Sequence, residues 1–201
     1  MDPATMLALV LIGGGWLLAG QKKGKTLMGK GETKGGVPVP VDLPEVPGIG
    51  ATEAQAREAI RAIRTQYGQV AEWVERLWRK ESAHFTSGEF RATGGAGMHP
   101  WKSTYPWGWD SLRPLWDAHP HLRPIGYTFR VEGGTRKVRP YLVFRSPYHF
   151  ALNIAYLIAK RYRTYGDWYR AVGQWYSTDP QQAVKYGREA GRITPRFARE
   201  A

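Results

Sequence analysis

At 201 residues and 22.7 kDa, with 42% hydrophobic residues, the chain has enough apolar material for one sizeable core and short appendages. It contains no cysteine, which excludes a disulfide framework and any thiolate metal site. A formal net charge of +12 and a pI near 10.0 favour a polyanionic partner, a description that nucleic acid, anionic lipid and an acidic cell-wall polymer all meet.

In chain order, the first feature is the apolar run Met6 to Gly20, followed at once by Lys22, Lys23 and Lys25. A full membrane span takes about 20 apolar residues, so residues 1–20 are expected to form a short retained anchor. Asp2 stands where a cleaved signal peptide would carry positive charge. The lysines after Gly20 favour the cytoplasmic side for the remainder of the chain. Residues 21–50, rich in Gly, Lys, Pro and Val, lack periodicity and read as a linker, flexible in its Gly/Lys half and extended in its Pro half.

A folded domain is expected over 51–195. Thr52 and Gln55 form a capping-box pattern for a helix ending at Gly68. A second helix starts near Gln69, with Val70, Val74, Leu77 and Trp78 at 3.6-residue spacing and Glu81 on the same stripe. A carboxylate ending a buried face is partly desolvated, which favours its protonated form and suits a general acid. Ala83 to Pro124 reads as a long irregular region holding Trp101, Tyr105, Trp107, Trp109, Asp110 and Trp116. Tyr127 to Glu132 and Lys137 to Phe144 alternate as strands of a hairpin turned by Gly133-Gly134. Ser146 and Pro147 signal the N-cap and first turn of the most apolar helix, which ends at Gly166. Asp167 and Asp179-Pro180 open two more, and 196–201 is a polar tail. The expected class is α+β: a mostly helical domain with a small hairpin lobe and a cleft between them.

Glu81-Ser82 at the end of an apolar helix, the hairpin running into Val143-Phe144-Arg145-Ser146-Pro147-Tyr148, and Tyr176-Ser177-Thr178-Asp179-Pro180 occur in an order that carries a resemblance. Together they resemble the lysozyme-like superfamily, and within it the bacterial glucosaminidases of flagellar peptidoglycan hydrolases and autolysins, over most of Thr52 to Ile193. Ala83-His84-Phe85 departs from the Gly-Trp-Gly that usually succeeds Glu-Ser in that family. Related lytic transglycosylases also carry Glu-Ser and a tyrosine on a C-terminal helix. The resemblance implies a lysozyme-like fold that cleaves β-1,4 bonds of the peptidoglycan strand, by hydrolysis or by transglycosylation to anhydromuramyl ends.

On this basis Glu81 is the expected acid, the alternative being a helix-end glutamate paired with Arg79 or Lys80. The resemblance puts an acidic residue on the hairpin of some members, here Glu132; if the N-acetyl group of the substrate does that work, Glu132 is an exposed turn residue. Tyr176 is implied at the cleft, with a core ring as the alternative. Ser82, Trp107, Trp109 and Asp179 complete the expected substrate-binding set, although the tryptophans also fit a loop core and Asp179 a helix cap. The five histidines form no ligand motif, so neither a metal nor another cofactor is expected. The expected partners are the glycan strand and, through 1–20, a membrane, either the envelope of a bacterium or the virion membrane of a bacteriophage. Basic residues are spread along the chain, which argues against specific nucleic-acid binding. A non-catalytic wall-binding or membrane-assembly protein is the alternative from another class.

Overall fold

A computed structural model gives the fold of residues 33–34, 37–38, 43–99, 109–132 and 136–200. The expected anchor, most of the expected linker, Trp107 and the Gly133-Gly134 turn lie outside the described residues, and Trp109 is described by its backbone alone. Among the described residues no helix is long and apolar enough to cross a membrane.

Two dipeptide strands, β1 (Thr33–Lys34) and β2 (Val37–Pro38), pair antiparallel ahead of the main body. Helices α1 (Glu53–Tyr67), α2 (Val70–Glu81), α3 (Gly88–Thr93) and α4 (Trp109–Ala118) come next, then the hairpin β3 (Gly126–Val131) and β4 (Val138–Val143). Helices α5 (Pro147–Tyr165), α6 (Trp168–Gly173) and α7 (Pro180–Gly191) complete the body. The class is therefore α+β and mostly helical. The hairpin is antiparallel in the register Gly126↔Val143 to Val131↔Val138.

Local signals place most of these elements. Both halves of the capping box form at α1: the Gln55 N–H donates to Thr52 Oγ1 (3.3 Å) and the Thr52 N–H to Gln55 Oε1 (3.0 Å). The α2 stripe of Val70, Val74, Leu77 and Trp78 is buried, as is the broad face of α5 from Ala151 to Ile158 against which α1 and α2 pack. Pro147 opens α5 and Ser146 stands at its N-cap, but the Ser146 side chain makes no cap hydrogen bond; its hydroxyl lies 2.8 Å from Nδ1 of His149. Helices α6 and α7 meet through glycine. A Cβ on Gly173 would lie 1.6 Å from the Ala183 carbonyl oxygen, and one on Gly187 1.9 Å from that of Tyr169.

The structure departs from expectation at three places. The stretch from 83 to 124 is not irregular throughout: it holds α3, α4 and a 3-10 turn at Pro120–Leu122. Pro114 signals a break, yet Leu112, Leu115 and Trp116 dock the surrounding helix, and the Trp116 indole N–H donates to Asn153 Oδ1 on α5 (2.7 Å). Residues 43–50 belong to the folded body rather than to a linker. The Val46 N–H donates to the Tyr127 carbonyl (2.8 Å), the Tyr127 N–H to that of Pro44 (2.9 Å), and the Ile49 N–H to that of Ala92 (3.0 Å). Finally, residues 196–200 are no polar tail. The Glu75 carboxylate, fully buried on α2, accepts the N–H groups of Arg196 (2.9 Å), Phe197 (3.0 Å) and Ala198 (2.8 Å), and Phe197 and Ala198 are buried. A buried carboxylate satisfied by three backbone donors ties the chain end to the core.

Candidate active site

Helix α2 delivers Glu81 to the surface and then stops abruptly. The Ser82 hydroxyl donates to the Trp78 carbonyl (2.6 Å) and accepts the Phe85 N–H (2.9 Å). Ala83, His84 and Phe85 come next with φ of 47°, 57° and 68°, three successive non-glycine residues in the left-handed region. Each costs roughly 1–2 kcal/mol. The turn is held by N–H donation from His84 to the Arg79 carbonyl (2.8 Å) and from Ser87 to that of Ser82 (3.0 Å). Burial of the Phe85 ring against Trp78 (5.4 Å, edge-on) and Phe197 (5.8 Å, stacked) adds to these. Ser82 is thus not at the substrate-accessible surface as expected; it is fully buried and braces the turn behind Glu81.

The turn faces a cleft of about 380 Å³ between the helical body and the hairpin. Glu81, Glu132 and Tyr176 all line it, together with Glu89 of α3, Gly97, Met98, His99, Tyr141 of β4 and Trp175. Three residues singled out on three separate stretches of sequence are therefore brought together. Residues 97–99 run along β4 as one wall: the Leu142 N–H donates to the Met98 carbonyl (2.8 Å), and His99 Nδ1 lies 3.0 Å from the Pro140 carbonyl with its ring 4.6 Å from Tyr141.

Glu81 is half-buried, and the cations next to it in sequence are committed elsewhere. Arg79 donates to Glu75 (2.7 Å) and Lys80 to Glu189 (3.1 Å). Among the described residues, the polar partner of Glu81 is Tyr186 of α7, whose hydroxyl donates to Oε1. Burial, and after it the charge and hydrogen bond of Glu81, hold the Tyr186 phenol well above its ordinary value. Tyr186 therefore stays a proton donor to Glu81 across the ordinary pH range. Its ring meets the Lys80 ammonium (4.7 Å) and stacks with the ring of Tyr176, parallel to within 3° at 5.2 Å. Tyr176 is 64% exposed, so its far face is open to a ligand.

On the opposite side, Glu132 adjoins the end of β3 and lies 3.9 Å from the Arg139 guanidinium. The Tyr141 phenol is pushed above its usual range by burial first and by Glu132 and Glu89 next. Asp179 caps α7, accepting the Gln182 N–H (2.8 Å), and does not line the cleft. Glu89, His99, Tyr141, Trp175 and Tyr186 are the site residues that sequence reasoning missed. Tyr186 carried a signal, since it falls on the apolar face of α7, but that signal reads as core. The three histidines His119, His121 and His149 form a chain of edge-on rings (6.0 and 6.2 Å) remote from the cleft lining. Among the described residues no group of three or more His, Asp or Glu is placed to hold a metal.

Comparison with known protein families, with curated proteins and with solved structures found no match to this chain. An acid group beside a hydroxyl donor, a second carboxylate across the gap and flat aromatic walls suit a sugar ring in a polymer.

Proposed function

We propose that this protein is a glycosidase that cleaves β-1,4 bonds of the peptidoglycan strand, with a lysozyme-like division into a helical lobe and a hairpin lobe. The observation that carries this reading is the convergence of Glu81, Glu132 and Tyr176 on one cleft. Glu81 gives its proton to the leaving glycosidic oxygen. The oxocarbenium-like centre is met by water activated at a carboxylate or by the substrate's own N-acetyl group. Tyr176 offers its open face to the sugar. The net charge of +12 suits the anionic wall, and residues 1–20 would hold the enzyme at a membrane, in a bacterial envelope or a bacteriophage virion.

The test is lysis of purified sacculi by the wild-type protein and by Glu81→Gln. Loss of the positioned acid is expected to lower the rate about 10²–10⁴-fold. Unchanged lysis would remove Glu81 as the acid, whereas binding of sacculi by the wild-type protein without lysis would support a wall-binding protein without catalysis. The transglycosylase reading draws on the Arg139 guanidinium 3.9 Å from Glu132, an ion pair that occupies that carboxylate and leaves Glu81 to act alone. Mass spectrometry of the digested strands separates the two, through reducing ends or anhydromuramyl ends.

A further inference from the structure

We infer that Glu89 is the second catalytic carboxylate of this cleft, the base that activates the attacking water, so that hydrolysis proceeds with inversion. The inference rests on the glycosidase reading above. Glu89 lines the same cleft as Glu81 and also borders an adjoining depression of about 480 Å³ beside Phe129, Arg130 and Val138. It therefore stands at the border shared by the two depressions.

Its position relative to Glu81 is set by the backbone. Only the left-handed turn separates α2 from α3, and Ser87 caps α3 by accepting the Phe90 N–H (3.1 Å). The C-terminal half of α3 is clamped from two sides: the Ile49 and Ala51 N–H groups donate to the Ala92 (3.0 Å) and Arg91 (2.8 Å) carbonyls, and the Phe144 N–H to that of Thr93 (3.1 Å). Glu81 and Glu89 are thus carried by one rigid frame, as a pair whose separation must admit one water requires. Glu132 lies at the far end of the two-stranded hairpin. Their electrostatic settings differ too. Glu132 faces Arg139, whereas among the described residues no cation stands within ion-pair distance of Glu89.

The step balances without a redox change. Glu81 transfers its proton to the glycosidic oxygen as the C1–O bond breaks. A water oxygen bonds C1 from the opposite face while Glu89 takes its proton, and solvent returns that proton to Glu81. The β-linked strand then releases an α-anomer first.

The experiment compares Glu89→Gln, Glu132→Gln and Glu81→Gln on sacculi and on a soluble glycan fragment, with and without sodium azide, after each variant is shown to be folded by its melting curve. For Glu89→Gln the expected result is a kcat loss of about 10²–10⁴-fold with little change in KM. Azide should restore turnover and yield the α-glycosyl azide. Proton NMR of the first wild-type product should show the α-anomer, a readout that needs no variant. Activity of Glu89→Gln within about threefold of wild type would overturn the inference. So would a loss that azide does not restore, azide rescue of Glu132→Gln instead, a β-anomer formed first, or anhydro ends. If the wild-type protein releases no new glycan ends, the glycosidase reading itself fails; if Glu81→Gln loses activity and Glu89→Gln retains it, the assignment of the base alone fails.

Discussion

Tyr186 donates its hydroxyl proton to Oε1 of Glu81 across 105 residues of sequence and so distinguishes the two carboxylate oxygens. With Oε1 occupied by a donor, Oε2 is the oxygen left to deliver a proton in the proposed reaction. Tyr186→Phe removes the donor while keeping the ring beside Lys80 and Tyr176. A kcat drop of about tenfold or more with KM held is expected, because the strand still meets the same walls while the acid loses its fixed orientation. Steady-state kinetics on soluble glycan fragments checks this, and a rise in KM alone would contradict it.

The buried phenols make the fold sensitive to alkali. Tyr186 and Tyr141 are both held above the ordinary value of 10.0, by burial first and by neighbouring carboxylates second. The folded state keeps these protons after the unfolded chain has released them. Their contribution to stability is therefore complete below about pH 10 and declines as pH rises toward the folded values. Urea midpoints measured from pH 8 to pH 11 should fall above pH 10, and Tyr186→Phe should make that fall shallower.

The turn after Glu81 stores strain that glycine would relieve. His84 is exposed and sits at φ 57°. His84→Gly removes a left-handed cost of roughly 1–2 kcal/mol and gives back about 0.5–1 kcal/mol through the freer unfolded chain. A net gain of about 0.5–1 kcal/mol is expected, visible in thermal unfolding as a rise of a few degrees. A lower melting temperature would mean that the histidine side chain itself holds the turn.

Glu75 is the most exacting polar position in the core. It pairs with Arg79 (2.7 Å) and accepts three backbone N–H groups of the chain end while fully buried. Glu75→Gln leaves the Arg79 charge uncompensated between the rings of Phe85 and Phe197, and turns one end of the side chain into a donor facing donors. A destabilisation of about 3–5 kcal/mol is expected by chemical denaturation. Deleting 196–201 should be similarly damaging, because the same carboxylate then loses its backbone partners.

The legible parts of this fold are those whose physics is local. The capping box at Thr52, the apolar stripe that ends at Glu81, the proline at the start of α5 and the Asp167 and Asp179 caps each depend on residues close to one another in the chain. The hairpin is legible for a similar reason, since period-two alternation on either side of a glycine pair is enough to predict that β3 meets β4. Short α3 and α4 escape such reading because six- and ten-residue helices interrupted or flanked by Gly and Pro gain their stability from docking rather than from periodicity.

By itself, then, the sequence determined the class of the fold, the end of α2 at Glu81, and the helix boundaries that bring Tyr176 and Asp179 to the start of α7. The tertiary structure decided what each of these residues faces. Ser82 turned inward, Asp179 served its helix, Phe197 and Ala198 joined the core, and Glu89 and Tyr186 joined Glu81. The reason is physical: periodicity and capping record how a residue relates to its neighbours in the chain, whereas a cleft is made by segments that meet only when burial of the core draws distant elements into contact.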